Sequence, residues 1–161
     1  MADAAAKSPR DVVDFLIGQH EQIKLLFEQT LDSSGKDREK AFLALRRLLA
    51  VHETAEAEFV HSRAKRIPDG DKVVGARVEE EHKAQTVLAK LEKLDVNAEE
   101  FTRQLSKLRD AMLDHAEHEE KEEFSKLQEQ LSEDELDQMG RAAKLASWPD
   151  RRHPRERLTD G

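Results

Sequence analysis

The 161-residue sequence contains no cysteine, and this absence limits the chemistry that the chain can carry. Without thiols it cannot form disulfides, thiolate zinc sites, iron–sulfur clusters or cysteine nucleophiles. Any metal site must therefore use the nitrogen and oxygen atoms of histidine, aspartate and glutamate. The N-terminal residues also lack the apolar segment of a signal peptide, so we expect a cytoplasmic protein.

Glycine and proline are scarce, at 6 and 4 residues, and tyrosine is absent. Charged residues make up 39% of the chain, and its formal net charge is −8. Few helix breakers and many charged helix formers indicate one nearly all-helical domain. The negative charge argues against nucleic acid or an anionic membrane as a partner, and no apolar run reaches the roughly 18 residues of a membrane span.

Apolar residues recur at helical spacing in four long segments, which predict an all-α, up-down-up-down antiparallel four-helix bundle. The expected helices cover about residues 9–31, 37–66, 72–94 and 97–131, with caps at Ser8 and Asn97. Ser132 and Glu135 have the spacing of a capping box for a short fifth helix that ends near residue 147. We therefore expect a bundle domain over residues 8–131, followed by a short helix and a disordered tail over residues 132–161.

One histidine interrupts the apolar row of each long helix. Two of these histidines are followed four residues later by a glutamate, which a helix places on the same face. Burying a carboxylate costs several kcal/mol unless it is paired or binds a metal. The pattern therefore predicts a metal site built from six side chains: His20, His52, Glu56, His82, His115 and Glu119.

Six nitrogen and oxygen ligands are too many for one tetrahedral zinc ion, whereas two bridging carboxylates could hold two octahedral ions. Imidazole with carboxylate suits iron well, and manganese or zinc less specifically. The side chains would fill about eight of roughly twelve coordination positions, and an oxo or hydroxo bridge about two more. The remaining positions could take water, dioxygen, peroxide or nitric oxide, which indicates a reactive site rather than a structural one.

The other polar residues near these histidines are predicted to lie outside the site. His61 is nine residues after His52, about half a turn round an α-helix, and is expected to face solvent. His118 is expected on a solvated flank, although it could support the site, and Glu120 is an alternative ligand. The acidic run at residues 79–81 is interpreted as a polar face.

In the order of these ligands the chain resembles the hemerythrin-like family (the HHE cation-binding domain). That family has one His on the first helix, His-x-x-x-Glu on the second, His on the third and His-x-x-x-Glu on the fourth. This chain matches all six positions, over about residues 10–130. The resemblance implies that Glu56 and Glu119 bridge two irons and that the four histidines supply the terminal nitrogens.

The oxygen-carrying members of the family have a second histidine on the third helix and an aspartate five residues after the last histidine. Here Thr86 lies four residues after His82, and Glu119 follows His115 at a spacing of four. The missing histidine argues against reversible oxygen storage of the carrier type. It favours peroxide handling, oxygen or iron sensing, or nitric oxide binding.

These features predict a non-haem di-iron protein that binds dioxygen or a related small oxidant in sensing, storage or detoxification. One alternative is a peroxide-decomposing, catalase-like or oxidase-type di-iron enzyme, because some coordination positions are left open. A second alternative is a metal-free helical interaction module. Ferritin-like chemistry is disfavoured, since it needs two Glu-x-x-His motifs.

Overall fold

A computed structural model of the chain describes residues 11–146, and each element within this range is helical. The all-helical class that the composition predicts is therefore confirmed. The helices are α1, Val12–Asp32; α2, Gly35–Ala55 continued by Glu56–His61 and Ser62–Ala64; α3, Gly70–Glu92; α4, Glu99–His118 continued by Glu119–Glu123 and Phe124–Gln130; and α5, Glu133–Ala146. The predictions for Ser8, Pro9 and the C-terminal tail lie outside the described residues.

Helices α2 and α4 each change from α-helical to π-helical hydrogen bonding partway along, over Glu56–His61 and Glu119–Glu123. A π turn bonds residue i to residue i+5 and so holds one residue more than an α turn. Within residues 11–146 no helix combines the length and hydropathy that would let it span a bilayer.

The helix caps agree only partly with prediction. The capping box before α5 is confirmed, because the Ser132 amide donates to Glu135 Oε1 at 2.9 Å and the Glu135 amide donates to Ser132 Oγ at 3.1 Å. The cap predicted at Asn97 is wrong. Its Oδ1 accepts a hydrogen bond from the Gly35 amide at 3.1 Å, and α4 begins after Ala98 without a side-chain cap.

The end of α1 and the connection from α3 to α4 lie side by side and are held together by Arg38. Its guanidinium donates to the carbonyls of Thr30 at 2.9 Å and Leu31 at 2.8 Å, in the last turn of α1. It also donates to the carbonyl of Val96 at 3.0 Å, in the connection from α3 to α4. One partly buried cation therefore satisfies carbonyls that the end of α1 leaves unpaired and ties them to the α3–α4 connection.

Buried apolar residues form two clusters. The Leu16 cluster comprises Val12, Val13, Leu16, Ala55, Val60, Ala64, Val74, Phe124, Leu127, Leu136, Met139 and Ala143. The Phe27 cluster comprises Ile23, Phe27, Phe42, Leu45, Leu49, Ala84, Leu91, Val96, Phe101, Leu105, Leu108 and Met112. On each long helix the residues of one cluster are separated along the chain from those of the other.

Buried polar residues occupy the positions between the two clusters. We call this set the polar layer; its members are His20 on α1, His52 and Glu56 on α2, Glu81 on α3, and His115 and Glu119 on α4. The four long helices thus bring ionisable groups from distant parts of the sequence to one level of the core.

Candidate metal centre

The polar layer contains two overlapping groups of side chains that could hold a metal ion. The first is His20, His52, Glu56 and Glu119, and the second is Glu56, Glu81, His115 and Glu119. Within each group one ligand atom from every side chain lies within 4.8 Å of the others. Because Glu56 and Glu119 belong to both groups, the geometry suits two neighbouring cations that share two carboxylates.

Nitrogen and oxygen atoms of the layer face one another directly. His52 Nε2 lies 2.8 Å from Glu56 Oε2, and His20 Nε2 lies 3.1 Å from Glu119 Oε1. His115 Nε2 lies 3.2 Å from Glu119 Oε2 and 3.4 Å from an oxygen of Glu81. The side chains of Glu56 and Glu119 are fully buried, so these contacts are shielded from water.

Several buried atoms of the layer form no hydrogen bond of acceptable geometry with residues 11–146, although they lie within ion-pair distance of one another. They are His52 Nε2, both carboxylate oxygens of Glu56, His115 Nε2 and Glu119 Oε2. An unsatisfied buried polar group typically costs about 1–3 kcal/mol, and more when it is charged. Imidazole nitrogen with carboxylate oxygen is a ligand set that suits divalent transition metals. The unpartnered atoms therefore fit bound metal ions.

The outward-facing nitrogen of each layer histidine is held by an oxygen acceptor outside the layer. The three Nδ1 atoms donate to Glu120 Oε2 at 2.8 Å from His20, to Gln19 Oε1 at 2.6 Å from His52, and to Glu80 Oε1 at 2.8 Å from His115. These hydrogen bonds fix the ring orientation and place the proton on Nδ1. Nε2 of each ring is thereby turned inward, where it could bind a metal ion.

The carboxylates give the layer a strongly negative potential. Burial lowers the pKa of His20, but contacts with Glu119 and Glu56 outweigh burial and raise this pKa to about 10. Contacts with Glu119, Glu56 and Glu81 likewise raise the pKa of His115 against the effect of burial. Burial and the charge of Glu56 raise the pKa of Glu119 to about 7. Protons on the His20 and His115 rings thus offset the carboxylates, and bound metal ions would displace them.

The structure places five of the six predicted ligands together, but it does not bring His82 to them. His82 is exposed on α3, whereas the preceding residue, Glu81, is buried. The apolar row that His82 interrupts contains Val74 and Val78, and this constant spacing of four drifts round a helix of 3.6 residues per turn. The observed buried face runs through positions 74, 77, 81, 84 and 91. Arg77 and Glu81 occupy two of them, so the apolar pattern concealed this face.

The prediction that His61 faces solvent is also wrong, since only 5% of its surface is exposed. It lies at the end of the π-helical segment Glu56–His61. The extra residue of a π turn rotates later positions by about 100° relative to a continuous α-helix. His61 therefore turns inward, where Nδ1 lies 2.6 Å from Glu123 Oε2 and Nε2 lies 3.0 Å from Glu81 Oε2.

The remaining candidates surround the layer. Glu120, which the sequence offered as an alternative ligand, accepts a hydrogen bond from Nδ1 of His20. Glu80 accepts from Nδ1 of His115 and, at 3.0 Å, from Nδ1 of His118. The His118 side chain is 44% exposed, so it is a partly solvated neighbour of the site. Sequence spacing gave no signal for Glu80, because the polar residues Arg77 and Glu81 conceal the buried face that it borders.

A small cavity adjoins the layer. Its volume is about 10 Å³, and its walls are His20, Ile23, His52, Met112, Leu113, His115 and Ala116. A cavity needs about 10–15 Å³ to hold one water molecule. The space beside the three histidines is therefore about the size of one water molecule and is too small for an organic substrate.

Comparison with known proteins identifies a family and a similar fold. The sequence model of the family described as the hemerythrin HHE cation binding domain matches residues 11–127. The crystal structure of a hemerythrin HHE cation binding domain-containing protein from Mycobacterium kansasii is similar, with a TM-score of 0.77. It is 16% identical in sequence, and the alignment covers 85% of each chain, so this likeness shows a common fold. No curated protein matches the sequence significantly.

Proposed function

The chain belongs to the hemerythrin HHE cation-binding domain family, and we propose that it is a non-haem di-iron protein. In this proposal the two shared carboxylates bridge the ions and two further side chains hold each one: Glu56 and Glu119 as bridges, His20 and His52 on one ion, Glu81 and His115 on the other. The observation that carries the proposal is the overlap of the two donor groups at the same two glutamates, with unpartnered atoms in both groups.

We propose that the ligand is dioxygen or a related small oxidant, peroxide or nitric oxide. Bound iron would supply redox chemistry and coordination positions that the protein leaves open. Three imidazole nitrogens and the oxygens of three carboxylates fill about eight or nine of roughly twelve positions. The cavity of about 10 Å³ limits the ligand to a few atoms, and the buried clusters on either side keep bulk water away.

Iron content and absorption of the same sample test this proposal. We expect the full chain, reconstituted with Fe²⁺ and exposed to air, to retain at least two irons and to absorb in the near-ultraviolet and visible range. Less than one iron per chain, with a featureless visible spectrum, would contradict the di-iron function. It would favour the metal-free helical interaction module instead.

A peroxide-decomposing enzyme is the second candidate, favoured by the open coordination positions beside a cavity that peroxide could enter. Its measure is oxygen evolution from added peroxide, compared with an equal amount of free iron. We expect Glu119→Ala to abolish any activity above that of free iron, because it removes a shared carboxylate. A wild-type rate equal to that of free iron would rule out the enzyme and leave ligand binding.

We also propose that the four long helices run up, down, up and down as antiparallel neighbours. Arg38 joins the last turn of α1 to the α3–α4 connection, which supports placing the α1–α2 and α3–α4 connections at one end. The order of the two apolar clusters along the chain also reverses from each long helix to the next. A disulfide between paired cysteines introduced at facing positions of α1 and α4 would test the arrangement.

A further inference from the structure

A second cluster of buried ionisable side chains adjoins the polar layer, and the proposed di-iron site uses only one of its three members, Glu119. His61 Nδ1 lies 2.6 Å from Glu123 Oε2. The Glu123 side chain is fully buried, and its second oxygen, Oε1, has no hydrogen-bond partner in the described part of the chain. One ligand atom each from His61, Glu119 and Glu123 lies within 4.8 Å of the other two.

The His61–Glu123 pair shares two features with the layer. Like His52 Nε2 and Glu56 Oε2, which are 2.8 Å apart, it brings an imidazole nitrogen close to a buried carboxylate oxygen. The two nitrogens of His61 are hydrogen-bonded to Glu123 Oε2 and Glu81 Oε2, but Glu123 Oε1 is buried without a hydrogen-bond partner in residues 11–146. The pair therefore offers a carboxylate oxygen that a cation could bind, next to an imidazole.

The two π-helical segments contain the residues of this cluster. Glu56 and His61 are five residues apart in one segment, the spacing that a π turn places on one face. The other segment begins at Glu119 and ends at Glu123. π turns are rare and occur frequently at functional sites. Here each segment supplies one residue to the layer and one to the cluster beside it.

We propose that His61, Glu119 and Glu123 form a third cation position, which takes a divalent transition metal ion such as Fe²⁺. One imidazole and two carboxylates suit such an ion. The unpartnered oxygen of Glu123 would also bind this ion. The proposal rests on the proposed function, because Glu119 would be shared with the di-iron site. Three side chains hold this ion and four hold each of the others, so it binds most weakly.

Equilibrium dialysis against excess Fe²⁺ without oxygen, with iron per chain measured at saturation, tests the third position. The metal-free full chain should bind three ions, whereas His61→Ala and the isosteric Glu123→Gln should each bind two. The matched control is Glu58→Gln, an exposed glutamate of the same π segment as His61, which should still bind three. Far-UV circular dichroism of every variant checks that it remains helical.

Each other outcome overturns the third position in a distinguishable way. A wild-type plateau of two ions that both substitutions leave unchanged removes the third ion but keeps the di-iron site. A wild-type plateau of two ions that falls to one in the variants would mean that His61 and Glu123 hold Glu81 in position and do not bind an ion of their own. Three ions in both variants place the extra ion elsewhere, and fewer than one ion in the wild type contradicts the di-iron function itself.

Discussion

At the scale of single residues, the side chains that support the histidines matter as much as the ligands. Gln19, Glu80 and Glu120 each accept a hydrogen bond from the Nδ1 atom of a layer histidine. Such a bond fixes the tautomer and the ring orientation before a metal arrives, and it raises the basicity of the inward nitrogen. The site is therefore preorganised by residues that would not themselves contact the metal.

Gln19→Ala should lower the metal affinity by about 10–100-fold, because the His52 ring loses Gln19 Oε1, the hydrogen-bond acceptor that orients it. Competition with a chromophoric chelator measures this affinity. Gln22→Ala is the matched control, since Gln22 is exposed on the same helix. Equal affinity of the two variants would show that the hydrogen bond to His52 does not tune the site.

Substitution at two adjacent positions tests which residue of α3 is the ligand. We expect Glu81→Ala to lose at least one of the two ions, because Glu81 is buried beside His115. His82→Ala should keep both, because its side chain is exposed. Metal analysis of the purified variants decides between them, and the opposite result would restore the ligand set predicted from the sequence.

At the scale of elements, the sequence was a good guide to which segments are helical and a poorer one to the direction of some side chains. Spacing predicted the four long helices, the inward-facing pairs His52 with Glu56 and His115 with Glu119, and the capping box of α5. It did not predict the π turns, because hydrogen bonding to i+5 leaves no mark in composition or periodicity. His61 was misplaced for that reason. Glu81 was misplaced because polar residues occupy the buried face of α3.

The connection between α2 and α3 depends on a glycine. Asp69 adopts a left-handed conformation with φ of 66°, and a Cβ atom on Gly70 would lie 1.7 Å from the carbonyl oxygen of Ala64. Since that atom belongs to the backbone, the connection would have to move. The close approach of the two helices therefore requires the absence of a side chain at this position.

Gly70→Ala should destabilise the protein by about 1–3 kcal/mol, the usual cost of overpacking. Gly75→Ala is the matched control: no atom lies within 4 Å of its added Cβ, and it is within α3. Alanine there should stabilise the helix by about 0.5–1 kcal/mol. Urea denaturation of both variants measures the free energy of unfolding. A destabilising Gly75→Ala, or a neutral Gly70→Ala, would contradict the packing described.

At the scale of the whole molecule, a polar layer divides the apolar core into two clusters. Three of its six members are carboxylates, and two of these are fully buried. A buried charge left without a partner is strongly destabilising. Composition could predict the helical class and the negative net charge, but not how the buried charges of the layer are balanced. That balance depends on how protons and metal ions are shared among side chains from four helices.

Metal removal should therefore lower the melting temperature. A ligand that binds only the folded state stabilises it by about 2.7 kcal/mol when its concentration is 100 times its dissociation constant. We expect the iron-loaded chain to melt at a higher temperature than chelator-treated protein in differential scanning calorimetry. Glu119→Ala should show little difference between the two conditions. Identical melting of loaded and stripped wild type would mean that the layer does not bind metal in the folded state.

The most direct measurement of the di-iron centre is iron K-edge X-ray absorption fine structure of the loaded protein. Two irons joined by Glu56 and Glu119 should give an iron–iron distance of about 3.5–4 Å, or shorter if an oxo or hydroxo group also bridges them. Glu119→Ala should lose this signal. Iron surrounded by nitrogen and oxygen alone in the wild type, with no second iron within that distance, would contradict a shared centre.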